Sequence, residues 1–518
     1  TIYKDIWWWF FDQKVMTTSS QGSTTWFAGL KSDGSNSTGT YYFKSKTSDG
    51  ISNEVTSGDL IVSQAPIGTK TQIVELLSST NVVLRNYTTI QLCANNATAG
   101  QTCLVWPGVY RESVTLPTSG NAGSPITFKS QTKGTAIIEG ADVLTGWQKC
   151  TIADCGNYPN VNNIYYANLT TGANAFTPLY ENGDFLWMAQ DPEQPDPFYR
   201  DETDYFRTAQ NMTTTSVTDA TYFTQADPNY WNESYVAVYH NPNIVTFTKI
   251  TGFIPATNTI SFSTLSGAPY PPDAQNGNRY FYSILNSIHH VNQTGEYSID
   301  TTNNKIYLWP RQGVTAVTIG KQNNGFNLNG KSYVAIEGFL IQGQWGGVRD
   351  FGKGVGITSS ASGSSNIIIK DNEVARTYSF EKAAAVRFTG TNVIIEGNYI
   401  HDTQGNTGIS MGGVQVTVRN NTVDHVGYVG IWFMDLNGGV IDHNIVTDIK
   451  GTHSNAISVY SSGTVVLTSD IVVSNNQVYD SDRALTFDYV NNLMVYNNVF
   501  DGAANSWGGM TGYLRVFN

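Results

Sequence analysis

Asn392-Val393-Ile394-Ile395-Glu396-Gly397-Asn398-Tyr399-Ile400 is followed twenty-three residues later by Gln415-Val416-Thr417-Val418-Arg419-Asn420-Asn421-Thr422-Val423. After another twenty-three residues comes Gly438-Gly439-Val440-Ile441-Asp442-His443-Asn444-Ile445-Val446. The recurring phrase is a β run, then Asn, any residue, and Val, Ile or Phe. Its asparagines are Asn372, Asn398, Asn421, Asn444, Asn476 and Asn498, spaced by 26, 23, 23, 32 and 22 residues, and Phe339 begins the series. Leucine-rich repeats share this length but carry L-x-x-L-x-L, which is missing here.

A period of this size, lengthened where loops are inserted, fits one coil of a parallel β-helix. Each coil contributes short strands that pair in parallel with the coils on either side, about 4.8 Å away, and all coils share a narrow apolar core. An inward-turned Asn at a bend can bond its own backbone and the next Asn in the stack, satisfying groups that stacking would bury unpaired. The six asparagines are therefore read as a structural ladder.

A second strand follows each Asn turn. Aligned, it reads Val386-Arg387-Phe388, Ile409-Ser410-Met411, Ile431-Trp432-Phe433, Ile457-Ser458-Val459 and Leu485-Thr486-Phe487. The outer columns of each trio are expected to face the core, and the middle column and the residue after each trio to face outward. The outward set gives Arg387, Trp432, Tyr460 and Asp488, with Asp435 just beyond Met434. An exposed Trp and Tyr suit the apolar faces of sugar rings, and suit protein contacts equally. Asp435 and Asp488 lie two coils apart, roughly 10 Å along the axis. Paired carboxylates near that spacing suit inverting glycoside hydrolysis, one as acid and one as base. The alternative is that both are solvated surface acids. The turns carry His401-Asp402, Asp424-His425, Asp442-His443 and His453. Such neighbours can form a proton shuttle or simply hold a turn. In a lyase, Arg387, Lys382 and His425 could neutralise a substrate carboxylate or act as base, though their spacing does not demand it.

Earlier phrases bear on kinship. Val105-Trp106-Pro107-Gly108-Val109-Tyr110-Arg111 is followed by Gly123-Ser124-Pro125-Ile126-Thr127-Phe128 and Ala136-Ile137-Ile138-Glu139-Gly140. These resemble the first coils of secreted right-handed parallel β-helix proteins of the pectate-lyase-like superfamily, which includes polysaccharide lyases and glycosidases. Leu179-Tyr180-Glu181-Asn182-Gly183-Asp184, Gly295-Glu296-Tyr297-Ser298-Ile299-Asp300 and Lys305-Ile306-Tyr307-Leu308-Trp309-Pro310 resemble phrases that flank an insertion in β-helix glycosidase-like families, with Tyr297 where the pattern has Trp. Gly39-Thr40-Tyr41-Tyr42-Phe43-Lys44 resembles the second half of a fibronectin type III domain. That sandwich needs more chain than is present, and a divergent β cap is the alternative.

The expected organisation is all-β: an incomplete fibronectin-like, sandwich-like segment over 1–65, a cap and first coils over 66–180, an inserted β-barrel or sandwich over 181–292, and coils over 293–518. Composition agrees. Of 518 residues 40% are hydrophobic and only 14% charged, with 49 Gly, which fits a globular β protein. The net charge of −12 provides no basic stripe for nucleic acid. No apolar run reaches the roughly 18 residues of a membrane-spanning helix. Cys93 with Cys103, and Cys150 with Cys155, form two close pairs. They are read as local disulfides of an oxidising compartment, with buried free thiols as the alternative. Eight N-x-S/T sequons permit glycosylation without showing it. The reading requires no cofactor. Calcium among the acids stays open, but no EF-hand or G-G-x-G-x-D loop is present, so no metal site is claimed.

The functional expectation is an extracellular or cell- or virion-surface protein whose partner is a polysaccharide or cell-surface glycan, bound or cleaved, as a glycosidase before a lyase. The assigned residues are Asp435 and Asp488 as catalytic acids and Arg387, Trp432, Tyr460 and His425 in binding. The other class is a structural or adhesive subunit of an appendage, sheath or tail fibre. It rests on the solenoid, the exposed aromatics, and an end at Leu514-Arg515-Val516-Phe517-Asn518 without a clear cap, which invites self-association or neighbouring subunits.

Overall fold

The computed structural model describes residues 72–199, 205–241, 244–267, 280–346, 354–379, 383–451, 454–463, 465, 467–501 and short strands before residue 72. Those strands, Ile2–Lys4, Gln13–Met16, Gly39–Ser45, Val55–Thr56 and Leu60–Val62, pair antiparallel with one another. Most of the fibronectin-like segment expected over 1–65 lies outside the described residues.

The main body is a parallel β-helix with three strand ladders. Face A stacks Gly354–Thr358, the first parts of Ala384–Glu396, Thr407–Arg419 and Val429–Asp442, then Asn455–Tyr460 and Leu485–Asp488. Face B starts at Thr102–Val105 and Ile126–Ser130. It runs through Val334–Glu337 and Ser364–Lys370, takes in the second parts of the long strands, and ends at Thr468–Ser474 and Val490–Tyr496. Face C runs from Gly108–Tyr110 to Val499–Phe500. The outer columns of the trios point inward as expected: Val386, Ile409, Ile431 and Ile457 are fully buried in one continuous core.

The bends need left-handed backbone, and the chain supplies residues that tolerate it. Between faces B and C stand Asp371, Gly397, Asn420, His443, Asn475 and Asn497, all at positive φ, each directly before a ladder asparagine. The ladder is continuous. Each asparagine Oδ1 accepts from the backbone N–H of its predecessor, from Phe339 to Asn372 at 3.0 Å through Asn476 to Asn498 at 2.9 Å. Each Nδ2 donates to a carbonyl of the preceding coil, as Asn421 does to Ile395 at 2.9 Å. The first described coil is covered by antiparallel Val74–Leu77 and the short helix Ile90–Ala94, whose first N–H groups donate to Glu112. The Cys93–Cys103 and Cys150–Cys155 disulfides are both formed.

Strand pairing sets the insertion wider than the expected 181–292. Ala136–Glu139 pairs directly with Leu340–Gln342, and Ile126–Ser130 with Val334–Glu337, so the chain leaves the solenoid after Gly140 and returns near Phe326. Only the stretch from Thr102 to Glu139 forms the early coils. Tyr165–Asn168, Leu179–Glu181, Glu296–Asp300, Lys305–Leu308 and Val317–Gly320 pair antiparallel among themselves and not with coils. Four of the five are buried over most of their length, so their burial does not separate them from coil strands, and only their pairing does. The phrases on either side of the expected insertion do meet: buried Glu181 accepts the backbone N–H groups of Arg311, Gln312 and Gly313. A further antiparallel sheet, centred on Tyr235–Asn241, Ile244–Ile254 and Tyr280–Leu285, packs around Phe223, Trp231 and Tyr282.

Candidate functional site

The outer wall of face A is less open than the alternation implies. Ser410, Ser458 and Thr486 in the middle column are buried, and Arg387 and Trp432 are half-buried. Burial weighs against the Arg387 charge and lowers its pKa. Trp432 lies 6.1 Å from Tyr428 between ring centroids, and its indole N–H is buried without an acceptor among the described residues.

A cleft of about 430 Å³ opens on this wall between the turn 359–362 and Arg387, Ser410, Met411, Met434 and Asp435. It brings Arg387 and Asp435 together. Trp432, Tyr460 and Asp488 are not among its lining residues.

A bulge accounts for part of this. The register between Thr407–Arg419 and Val429–Asp442 shifts after Met411, and Asp435 takes φ +54. Met434 stands in file with Tyr460 and Asp488, as in the aligned trios, and Asp435 lies one residue beyond it. The Asp435 carboxylate is turned to the next coil, where it accepts from the Ser462 backbone N–H at 2.7 Å and the Ser462 hydroxyl at 2.6 Å. Asp488 is exposed and accepts from the Tyr489 N–H at 3.0 Å. The two acids expected to act as a pair are therefore held by separate local bonds and do not line one cleft.

His425 is not on this wall at all. It belongs to face C, in a chain of titratable groups that crosses several coils. Asp402 accepts from both neighbours, His401 Nδ1 at 2.8 Å and His425 Nδ1 at 2.7 Å, and His401 Nε2 lies 3.2 Å from Glu373. Burial opposes the Asp402 charge, but the two histidines hold its pKa well below the usual carboxylate range. Burial also opposes the His425 charge, but the Asp196 carboxylate 3.6 Å from its Nε2 and the hydrogen bond to Asp402 push its pKa up to about 9. The insertion covers this site. Phe198 stacks on the His425 ring at 3.8 Å between centroids, and Tyr199 meets it edge-on at 5.4 Å.

The His-Asp neighbours are visible in the sequence, but adjacency alone does not show their union. The signal was available: Asp402 and His425 are one coil apart, and Arg376, Asp402, His425, Asp448 and Asp480 occupy the same left-handed position at the C-terminal end of the face C strands. The covering residues Asp196, Phe198 and Tyr199 carry no such signal. His443 pairs with Asp442 at an exposed turn, while Lys382 and His453 lie outside the described residues. Among the described residues no cluster of His, Cys, Asp or Glu could hold a metal ion, and no helix is long and apolar enough to cross a membrane.

Residues 274–467 match the family model described as right handed beta helix region. The chain is similar to a solved structure titled "Glycoside hydrolase", with a TM-score of 0.57 at 13% identity, covering 76% of this chain and 80% of that one. For the structure of XylC with xylose the TM-score is 0.49 at 16% identity, covering 81% of this chain and 64% of that one. For an alginate lyase from Paenibacillus sp. str. FPU-7 it is 0.24 at 14% identity, covering 36% of this chain and 77% of that one. No curated protein matches the chain. The ladders and the first of these likenesses agree on one architecture, a right-handed parallel β-helix.

Proposed function

We propose that this is an extracellular or surface-displayed protein that binds a polysaccharide in the face A cleft. The observation that carries this reading is the cleft itself. Its volume lies in the range of small-ligand sites, and its walls combine two chemistries a sugar ring needs. The Arg387 guanidinium and the serine hydroxyls of the turn 359–362 can bond ring hydroxyls, while Met434 offers apolar surface to C–H faces. Two disulfides fit an oxidising compartment. The likeness to a structure titled glycoside hydrolase supports the fold, and fold alone does not assign a reaction.

Binding stands ahead of cleavage in this reading. An inverting pair needs two carboxylates facing one bond across about 6.5–9.5 Å. Asp435 is engaged on both oxygens by Ser462, and Asp488 lies outside the cleft. Hydrolysis would require Asp435 to exchange those bonds for substrate.

The test uses the full chain against a panel of neutral and acidic polysaccharides, measuring retardation in affinity gels and reducing ends released. At least one polysaccharide is expected to bind, and Arg387→Met to weaken it at least about tenfold, as for a lost charge-assisted hydrogen bond. Reducing ends that appear with wild type and vanish with Asp435→Asn would add cleavage to the assignment. Absence of binding across the panel, or binding indifferent to Arg387→Met, would remove the cleft from it.

A further inference from the structure

We propose that the turn 196–199 is a latch fastening the inserted domain to face C of the solenoid, with protonated His425 as its pin, and that alkaline pH opens it. The contact is built from both sides. From the solenoid, Asp402 accepts from His425 Nδ1 at 2.7 Å; from the insertion, an Asp196 oxygen lies 3.6 Å from His425 Nε2. Phe198, 2% exposed, covers the ring face. Two further bonds cross the same contact: Gln404 Nε2 donates to the Phe198 carbonyl at 2.9 Å, and the Tyr199 hydroxyl donates to the Asp448 carbonyl at 2.8 Å.

An imidazolium donates from both nitrogens and carries the charge that two carboxylates share. A neutral imidazole donates from one, so deprotonation leaves Asp196 facing Asp402 without the cation between them. Around the pair stand Asp424 and Asp448, His401 on Asp402, and Lys450, which bonds Asp448 and Asp480. Lys450 Nζ also lies 6.0 Å from the Tyr199 ring centre. Acids therefore dominate the surroundings and favour the charged histidine.

The sign follows from linkage. The docked pKa of His425, about 9, exceeds the ordinary 6.5. Its contribution is full below the ordinary value and is lost as pH rises through about 9. At the other end, burial opposes the Asp196 and Asp402 charges, but the histidine between them lowers both pKa values and keeps the latch closed through the neutral range.

The test is deuterium exchange on the full chain, corrected for intrinsic rate, comparing peptides covering 190–199 with the core strand near 416–418. In wild type, protection of 190–199 is expected to fall at least about tenfold between about pH 7.5 and 10, while the core strand stays protected. His425→Gln should lower that protection at every pH and flatten the profile. Asp196→Asn, a change at a half-exposed turn, should move the release midpoint down by about one pH unit or more. Wild-type protection that persists to pH 10 would overturn the latch. So would an Asp196→Asn midpoint equal to wild type, which holds even if His425→Gln fails to fold.

Discussion

Replacing Asn421 by alanine isolates the contribution of one rung of the asparagine ladder. The side chain is 1% exposed. Its Oδ1 accepts from the Asn398 backbone N–H at 3.0 Å and from Asn398 Nδ2 at 2.9 Å, and its Nδ2 donates to Ile395 at 2.9 Å, Arg419 at 3.0 Å and Asn444 Oδ1 at 3.0 Å. Alanine leaves the Asn398 N–H without an acceptor and takes a donor from the Ile395 carbonyl. The Asn444 oxygen keeps the Asn421 backbone N–H, and Asn398 Nδ2 keeps two carbonyls, so neither is orphaned. At about 1–3 kcal/mol for each buried polar group left short, the loss is roughly 2–4 kcal/mol. The control is its neighbour, Asn420→Gly. Asn420 is exposed at φ +54, a conformation glycine adopts freely, and the cost should stay within about 0.5 kcal/mol. Denaturant unfolding read together with amide exchange across 395–446 measures both, because a solenoid opens locally as well as globally. An Asn421→Ala loss no larger than that of Asn420→Gly would refute the view that the ladder holds the coils in file.

Gly430→Ala should destabilise by about 1–3 kcal/mol, as overpacking does. The added carbon would sit 2.5 Å from the Ala456 carbonyl oxygen and 2.7 Å from a Val446 methyl, and an unchanged melting temperature would contradict this packing. In the insertion, burial opposes the Glu233 charge, yet Lys249, Thr301 and Thr302 lower its pKa from 4.5 to about 2. That stabilisation is present above the ordinary carboxylate range and is lost as pH falls through about 2. Glu233→Gln should therefore cost about 1.5–3 kcal/mol at neutral pH, with the difference from wild type shrinking as unfolding is followed into acid. A difference that does not depend on pH would count against the charge.

How legible each feature was depended on whether its cause was local. Each ladder asparagine follows a left-handed residue and precedes an alternating strand, so the whole rung is written in three or four adjacent residues. The inward columns were equally plain, because Val386, Ile409, Ile431 and Ile457 repeat coil after coil. The insertion's limits were not. Tyr165–Asn168 and Lys305–Leu308 are short apolar-rich runs like those of the coils, and only their partners reveal that they pair with each other. The outward wall misled for a different reason. Alternation states which way Ser410 and Ser458 point, but not whether other chain covers them. Asp435 stands one residue beyond the outward file already in the aligned trios, but no spacing rule registers the left-handed backbone there that turns its carboxylate onto Ser462. The His401-Asp402-His425 chain could have been found by stacking the turns at one-coil intervals. Its aromatic cover comes from a segment more than two hundred residues earlier, joined to it only by the fold.

The most direct test of the glycan reading is a crystal structure of the chain with an oligosaccharide drawn from any polysaccharide that binds. A sugar ring is expected between the turn 359–362 and Met434, with ring hydroxyls on Arg387 and the turn serines. Sugar bound elsewhere, with this cleft vacant at saturating ligand, would contradict it.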